Sequence, residues 1–471
     1  MRFGSSVCAS VGVVTIDSLP PRAWVCRNMF SMWRLSRSMR SAMGASSSAA
    51  SVGTSERVVR SNSGAPTDSS SCLRLMLTAD WVMCNCSAAS AIFRRWNTSR
   101  KQLSCRGLIR VINVVEETFE KLNFTVFVPG GPMRPQGDKP MTLITLEEHI
   151  TTPLHKEASF DPVRQTWYAA RSAHLGHDIE KELLDVGHSR LAHMDATGIS
   201  LQVLSLTTPG CQAYRGDLAI ALAREANDRM AAAVAAHPMR FRAFAALPTS
   251  EMPLALSEFA ARLDQGFVGA MINGHTFGSF LDDKHFWPLF ELAQARDVPV
   301  YLHPGAPHPG LMGSYFDGYE DLARPAWGFA MDASMHFLRM LFGGVFDQFP
   351  RLKIILGHLG EGLPFGFERM EDHTPYVVSR RGLRKRPRDC FRENLVITTS
   401  GAFSPPAFRC ALDVMGEDNI LFSVDWPYES NAVGTRFFHA LDLPDALRQK
   451  LAWKNAARVL GLDVADLVHS T

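Results

Sequence analysis

Five side chains of the types that bind divalent metal ions or transfer protons each follow a short apolar run along the chain. They are Glu147, His149, His303, His358 and Asp425. Side chains two residues apart on a strand point to the same face, so Glu147 and His149 should converge while Glu148 points away. A mixed set of carboxylates and imidazoles suits Zn²⁺ or Mn²⁺ and disfavours a thiolate site. Asn273 follows the apolar run of residues 267–272, at a position where a second ion would need a bridging carboxylate or a modified lysine. The sequence therefore predicts a site for one ion.

Such a site needs a scaffold that brings the ends of distant apolar runs to one place. From residue 141 onward, eight apolar runs alternate with amphipathic stretches. The runs cover residues 142–146, 200–206, 241–247, 267–272, 298–302, 352–356, 395–399 and 420–424. Runs without polar alternation are typical of parallel strands that are buried on both faces. Eight strand–helix units predict an α/β fold, a (β/α)8 TIM barrel, with its active site at the C-terminal ends of the strands.

A doubly wound open sheet is the alternative fold for this alternation of strands and helices. Such a sheet normally carries a glycine-rich phosphate-binding turn after one of its strands. The sequence contains neither GxGxxG nor GxxxxGK[ST]. The barrel is therefore the favoured architecture.

The first 140 residues differ in composition from the rest of the chain. They contain 18 Lys and Arg against 8 Asp and Glu, whereas residues 141–471 contain 31 against 39. All 16 histidines and all 7 tyrosines lie after residue 140. We therefore divide the chain into a Ser- and Arg-rich extension, residues 1–140, and a catalytic domain, residues 141–471.

Four interpretations of residues 1–140 compete: a targeting segment, a basic nucleic-acid-binding arm, a disordered tail, and sequence that is not natively translated. The fourth is favoured, because the break in composition falls at Met141, directly before the first strand. The basic charges are scattered and no motif accompanies them, so no nucleic-acid partner is expected. No apolar run reaches the roughly 20 residues of a membrane span, and the scattered cysteines suit a reducing compartment. The predicted location is cytoplasmic, with no membrane partner.

Four strings in the second part resemble the amidohydrolase superfamily, and within it the non-oxidative aromatic acid decarboxylases that act on γ-resorcylate, 2,3-dihydroxybenzoate and 5-carboxyvanillate. The strings are LEEH, LHP, GHLGEGLPF and FSVDWPYE, in this order. The resemblance covers essentially all of residues 141–471. Hydrolytic members of the superfamily usually begin with His-x-His. The decarboxylases have Glu-x-His, as Glu147 and His149 do here.

The resemblance implies a role for the polar residues of these strings. The implied ligands of one Zn²⁺ or Mn²⁺ ion are Glu147, His149, His303 and Asp425. The implied catalytic residues are Asp425, His358 and Glu361. Asp425 is the preferred proton donor and His358 the alternative. Arg369 is implied as a cation on the substrate side, and Tyr428 as an aromatic side chain that packs on the substrate ring.

Three positions depart from the pattern of γ-resorcylate decarboxylases. Gly305 stands where those enzymes tend to have a larger polar residue, Thr374 where they have asparagine, and Tyr428 where they have phenylalanine. The resemblance therefore implies a dihydroxybenzoate-like substrate without selecting one. The loops at residues 151–167 and 306–327 should shape the distal part of the pocket.

The implied reaction is the metal-dependent, non-oxidative decarboxylation of an ortho-hydroxylated aromatic acid to a phenol and CO₂. A metal-dependent hydrolase of a lactone, ester or amide is the alternative, because the same ion could activate a water molecule. Glu147 in the first motif argues against hydrolysis. The expected protein is a carboxy-lyase with a small aromatic acid as substrate, assembled as a homodimer or homotetramer.

Overall fold

The structure, a computed structural model, describes residues 141–463, and the interpretations of residues 1–140 lie outside the described residues. All strand pairs between neighbouring named strands are parallel. The strands are β1 Ile144–Ile150, β2 Leu201–Leu206, β3 Phe241–Ala243, β4 Ala245–Ala246, β5 Ala270–Asn273, β6 Val300–His303, β7 Ile354–Leu356, β8 Leu395–Thr398 and β9 Ile420–Leu421. Each of the eight predicted apolar runs overlaps one strand or, in the third run, two.

The nine strands of the described residues form a barrel of eight strands, because β3 and β4 together make one interrupted strand. Pairing follows chain order in two groups, β1-β2-β3 and β4-β5-β6-β7-β8-β9. Only Phe244 separates β3 from β4, and its N–H donates to the carbonyl of Leu204 in β2 at 2.9 Å, so one interrupted strand joins the two groups. On the opposite side, the N–H of His149 donates to the carbonyl of Trp426 at 2.7 Å, which joins β1 to the segment after β9. The predicted (β/α)8 barrel is confirmed.

Helices connect the strands and surround them. They are α1 Pro153–Ala158, α2 Pro162–Leu175, α3 Ile179–Leu184, α4 His188–Thr197, α5 Gly216–Ala236, α6 Met252–Asp264, α7 Trp287–Ala295, α8 Pro309–Tyr315, α9 Gly328–Phe342, α10 Val345–Gln348, α11 Leu363–His373, α12 Pro375–Arg381, α13 Pro387–Glu393, α14 Pro405–Met415, α15 Asn431–Ala440, α16 Asp445–Gln449 and α17 Asn455–Leu460. Within residues 141–463, none of these helices has the length and apolar character needed to cross a bilayer.

The two segments expected to be loops contain helices. α1 and the start of α2 lie within residues 151–167, and α8 lies within residues 306–327. Each of these helices begins with a side chain that accepts a backbone hydrogen bond and is followed by proline. The capping side chains are Thr152, Asp161 and His308. Threonine or aspartate before a proline is a helix-start signal, so α1 and α2 were readable from the sequence, whereas a histidine such as His308 is not a usual cap.

A bulge in β1 controls which side chains enter the barrel. Thr145 pairs with Gln202 of β2, but Glu148 pairs with Leu204, so three steps along β1 match two steps along β2. Ile144 packs in the barrel interior before the bulge. After the bulge, the alternation of inward and outward side chains is shifted by one residue, so Glu147 and His149 point into the barrel. Bulges of this kind re-aim side chains next to active sites.

The barrel interior is apolar at its base and polar above it. The base is formed by alternate residues of the strands, and α17 packs beneath it. These interior side chains are Ile144, Leu146, Val203, Met271, Tyr301, Ile355, Val396 and Leu421. Two residues further along five of the strands, the same face carries Ser205, Asn273, His303, Thr398 and Ser423. The site is therefore a polar layer that rests on a packed apolar floor.

Candidate metal centre

Three of the predicted ligands converge at the C-terminal end of the barrel. Nitrogen or carboxylate oxygen atoms of Glu147, His149 and His303 all lie within 4.8 Å of one another, and the three side chains are buried. Nε2 of His303 is 3.3 Å from Oε1 of Glu147. Asp425 adjoins this group, with its Oδ1 3.3 Å from Nε2 of His149. The structure thus brings the four predicted ligands together from β1, β6 and the segment after β9.

The unpaired atoms of this cluster fit a divalent cation. Among the described residues, Oε1 of Glu147, Nε2 of His149 and Oδ1 of Asp425 are buried and have no hydrogen-bond partner. Buried polar atoms without partners are costly, and they mark a place that a ligand or ion satisfies. Two carboxylates and two imidazoles without thiolates form a donor set for Zn²⁺ or Mn²⁺.

The other carboxylate oxygen of Glu147 is held by three hydroxyl groups that the sequence analysis missed. Tyr301 and Ser400 donate hydrogen bonds to Oε2, and Thr398 donates to the same atom at 3.4 Å. Oε1 is therefore the oxygen left for an ion. The strand period of two could have located all three hydroxyls. Tyr301 precedes His303 by two residues on the same face of β6, and Thr398 precedes Ser400 by two at the end of β8.

Both histidine rings are oriented through their Nδ1 atoms. Nδ1 of His303 lies 2.8 Å from the carbonyl of Pro304, which fixes it as the protonated nitrogen and leaves Nε2 as a lone-pair donor. Nδ1 of His149 lies 3.2 Å from Oγ of Ser205. Burial, together with the nearby His149, holds the pKa of His303 well below its ordinary value, so its ring stays in the neutral form that binds metals.

His358 and Glu361 are joined across a left-handed turn that follows β7. The backbone φ angle is +50° at His358, +56° at Leu359 and +55° at Glu361, a conformation that residues other than glycine rarely adopt. Nδ1 of His358 lies 2.7 Å from Oε1 of Glu361 across this turn. Strained backbone of this kind persists where the surrounding structure holds it, and it clusters at functional sites. Here it directs Nε2 of His358 toward the ligand cluster.

Nε2 of His358 faces both carboxylates of that cluster. It lies 3.6 Å from Oδ2 of Asp425 and 3.8 Å from Oε1 of Glu147. Burial opposes the charged form of His358, but Glu361 and Glu147 hold its pKa well above the ordinary value. Burial likewise opposes the charge on Asp425, but His149 and His358 hold its pKa at about 2. Before any ion binds, this pair is an imidazolium beside a carboxylate.

An aromatic wall stands beside His149. The ring centroid of Tyr428 is 5.6 Å from that of His149 and 6.0 Å from that of Trp167. The hydroxyl of Tyr428 lies 2.6 Å from that of Thr207 and 2.8 Å from that of Tyr168. The two contacts tie down the hydroxyl and leave the ring to form the wall, so the structure brings Tyr428 to the site.

Arg369, predicted to lie on the substrate side, and Thr374, one of the departures from the γ-resorcylate decarboxylase pattern, both lie outside the contacts of the ligand cluster. Arg369 is exposed on α11. The hydroxyl of Thr374 donates to the carbonyl of Met370 at 2.8 Å and so closes the end of that helix. A role for Arg369 toward the substrate stays a prediction.

A parallel barrel that carries an inward-facing Glu-x-His pair, a further histidine and an aspartate after the last strand defines a class of metal-dependent enzymes. The family model described as Amidohydrolase matches residues 173–462. The chain belongs to the amidohydrolase family.

Known relatives narrow this assignment. The γ-resorcylate decarboxylase of Polaromonas sp. (strain JS666 / ATCC BAA-500) is 38% identical over an alignment of 332 residues, and the match covers 68% of this chain and 98% of the relative. A crystal structure of 2,6-dihydroxybenzoate decarboxylase complexed with 2,6-dihydroxybenzoate has a TM-score of 0.63 and 38% identity, and it covers 69% of this chain and 99% of that one.

A second solved structure bears on the cofactor. The dihydroxybenzoic acid decarboxylase from Polaromonas sp. JS666, with bound manganese and the inhibitor 2-nitroresorcinol, has a TM-score of 0.63 and 36% identity, and it covers 69% of this chain and 99% of that one. The predictions of a carboxy-lyase of this superfamily and of one divalent metal ion are confirmed by these relatives together with the Glu-His-His group of this chain.

Proposed function

We propose that this chain decarboxylates an ortho-hydroxylated aromatic acid, dihydroxybenzoate-like in size, to the phenol and CO₂, with one ion bound by Glu147, His149, His303 and Asp425. The observation that carries the proposal is the inward-facing Glu147, whose Oε1 is unpaired while Oε2 is saturated by three hydroxyls. A carboxylate at this position is the feature that separates the decarboxylase motif from the His-x-His of the hydrolases.

An ion held by Glu147, His149, His303 and Asp425 would supply Lewis acidity toward the carboxylate and phenolic oxygens of the substrate. The residues of the chain orient the ring and deliver the proton. Tyr428 lies beside His149 and limits where the ring can sit. Asp425 and His358 are both partly exposed, at 13% and 26%, so they face the open side of the cluster where a substrate would enter.

The reaction requires a proton at the ring carbon that bears the carboxylate. An ortho-hydroxyl makes this carbon electron-rich, so protonation before C–C cleavage avoids an aryl anion. His358, whose Nδ1 lies 2.7 Å from Oε1 of Glu361, holds the proton at rest. Oδ2 of Asp425, 3.6 Å from Nε2 of His358, carries this proton to the ring. Because the low pKa of Asp425 favours the carboxylate, its protonated form is short-lived and is a strong acid toward the ring carbon. The C–C bond then breaks, its electron pair returns to the ring, and CO₂ leaves.

The proposal extends to the assembly and location of the chain. We propose a homodimer or homotetramer in the cytoplasm. The three cysteines of the described part, Cys211, Cys390 and Cys410, are free thiols, which suits a reducing compartment. Arg369 is exposed on α11 and lies outside the contacts of the ligand cluster, and its role as a substrate-side cation remains a proposal to be tested by substitution.

A substrate panel tests the reaction. The Mn²⁺-loaded chain is incubated with 2,6-dihydroxybenzoate, 2,3-dihydroxybenzoate, 3-hydroxybenzoate and 4-hydroxybenzoate, and CO₂ and phenol are both quantified. We expect equal amounts of CO₂ and phenol from the ortho-hydroxylated acids and none from the other two. Release of CO₂ from all four acids alike would refute the role of the ortho-hydroxyl. Hydrolysis of aryl lactones without any decarboxylation would refute the proposed function.

A further inference from the structure

Glu148 lies between the proposed ligands Glu147 and His149 in the sequence. Its side chain faces away from the metal centre and yet is fully buried. Four groups donate hydrogen bonds to its carboxylate, and they come from β2 and from the segment after β9. The donors are Nε2 of Gln202 at 3.0 Å, Oγ of Ser423 at 3.3 Å, the N–H of Val424 at 3.3 Å and the N–H of Trp426 at 3.3 Å. The carboxylate thus occupies the outer face of the barrel wall, behind the metal centre.

The two backbone donors flank Asp425. The N–H of Val424 binds Oε1 of Glu148 and the N–H of Trp426 binds Oε2, so the carboxylate spans the residues before and after Asp425. Asp425 has a φ angle of +81°, which costs free energy for a residue other than glycine. Such a conformation persists only where neighbouring contacts enforce it. The carboxylate of Glu148 provides two of these contacts.

A buried arginine completes the arrangement. Arg190 on α4 is fully buried, and its Nη1 donates to Oε1 of Gln202 at 3.3 Å, while Gln202 in turn donates to Glu148. Nη2 of Arg190 donates to the backbone carbonyl of His149 at 2.5 Å. One chain of contacts therefore holds the backbone on either side of Asp425 and the backbone carbonyl of His149. Burial raises the pKa of Glu148 to about 8, and the positive charge of Arg190 opposes that shift and favours the carboxylate.

We infer that Glu148 is a positioning residue that, through Gln202 and Arg190, sets Asp425 and His149 relative to each other for metal binding and proton delivery. The inference rests on the proposed function, because it takes Asp425 and His149 as ligands. Partners behind the ligands of a metal centre typically contribute about 10–100-fold to metal affinity or activity. An amide does not replace this carboxylate, because its NH₂ group would face N–H donors and leave one of them unpaired.

The test is Glu148→Gln, with Glu182→Gln as a matched control. Glu182 is also a buried carboxylate beside Arg190, but its side chain accepts from Ser189 on α4, whereas the N–H groups of Val424 and Trp426 donate to Glu148. Mn²⁺ affinity is measured by calorimetry on the full chain after treatment with a chelator. The kinetic constants kcat and KM are measured with 2,6-dihydroxybenzoate, and folding is checked by the midpoint of thermal unfolding. We expect Glu148→Gln to weaken Mn²⁺ binding about 10–100-fold and to lower kcat more than it raises KM. We expect the Mn²⁺ affinity and the kcat of Glu182→Gln to stay within about twofold of the wild-type values.

Equal Mn²⁺ affinity and equal kcat in Glu148→Gln and the wild type would overturn this inference alone. An equal loss in Glu182→Gln would also overturn it, because the effect would then be general destabilisation. If Glu148→Gln does not fold, the same measurements are made on Gln202→Met, which removes one hydrogen-bond donor to Glu148. We expect weaker Mn²⁺ binding and a lower kcat in this variant as well. Wild-type values of both would overturn the inference. A wild-type chain that binds no Mn²⁺ would instead refute the proposed metal centre.

Discussion

A Cβ atom on Gly357 would lie 2.6 Å from Oε2 of Glu147, so the residue after β7 leaves the space that this carboxylate occupies. The backbone of Gly357 has φ −72° and ψ −174°, an extended conformation that other residues also adopt. The requirement for glycine here is therefore one of space and not of backbone freedom. It links the HLGE turn after β7 directly to the Glu-x-His motif on β1.

Gly357→Ala should displace the carboxylate of Glu147 and disturb its contacts with Tyr301 and Ser400. We expect Mn²⁺ affinity to fall by at least tenfold, with kcat falling in parallel, while the protein stays folded. Calorimetric titration with Mn²⁺ checks this expectation. Gly366→Ala on α11 is the control, because a Cβ there meets no atom within 4 Å. Wild-type affinity in Gly357→Ala would show that Glu147 does not need its present position.

Asp425→Asn should abolish most of the turnover while leaving the barrel folded. The amide keeps the shape of the side chain but carries no charge for the ion and delivers no proton from His358. General acid catalysis contributes about 10²–10⁴-fold, so we expect kcat to fall by at least that factor. Steady-state kinetics and circular dichroism are the measurements. Asp418→Asn, which loses an exposed ion pair with Lys450, is the control, and near-normal kcat in Asp425→Asn would contradict the assignment.

Tyr428→Phe should separate the role of the Tyr428 ring in the wall of the site from the role of its hydroxyl in stability. The ring that forms the wall is retained, so we expect kcat and KM to change by less than about threefold. The hydroxyls of Thr207 and Tyr168 lose a shared partner, which should cost roughly 1–3 kcal/mol in the free energy of unfolding. Urea unfolding and steady-state kinetics measure the two effects. A large loss of kcat with unchanged stability would mean that the Tyr428 hydroxyl contacts the substrate.

His336 should make the protein less stable as the pH falls below neutrality. Burial lowers its pKa to about 3, and its Nε2 accepts the N–H of Leu281 at 2.8 Å. Unfolding returns the ring to a pKa near 6.5, so between these values the unfolded state binds one more proton. The free energy of unfolding then falls by about 1.4 kcal/mol for each pH unit below 6.5, and this histidine has no effect above that pH.

Urea unfolding of the wild type and of His336→Gln at pH 7.5 and pH 5.5 tests this effect. Glutamine keeps an oxygen that accepts the N–H of Leu281 and does not titrate. We expect the variant to lose about 1.4 kcal/mol less than the wild type between the two pH values. His373→Gln, which removes an exposed histidine from α11, should leave the wild-type difference unchanged. Equal pH dependence in His336→Gln and the wild type would count against a neutral buried ring.

The sequence predicted the barrel and the convergence of the ligands because both depend on local patterns. Apolar runs mark buried strands, and the polar residue that follows each run marks the same end of the barrel. The bulge in β1 was not readable, because no residue type in ITLEEHI marks the extra step. Because of this bulge, the side chains of Glu147 and Ile144 both point into the barrel. Regular alternation would place them on opposite faces, since they are three residues apart.

Contacts between distant segments account for what the sequence analysis missed. Glu148 was correctly predicted to point away from the ion, but its carboxylate bonds to the backbone around Asp425 arise only once β1 and β9 lie side by side. The left-handed turn from His358 to Glu361 is likewise held by its surroundings, because three of its residues have positive φ without being glycine.

The most direct test of the proposed function is a metal titration that follows CO₂. The full chain is stripped with a chelator, titrated with Mn²⁺, and assayed at each step for CO₂ release from 2,6-dihydroxybenzoate. We predict no CO₂ from the stripped protein, then a linear rise that ends at one ion per chain, and no rise in Asp425→Asn. CO₂ release by the stripped protein at the wild-type rate, or a rise that the Asp425→Asn variant shares, would contradict the metal centre proposed here.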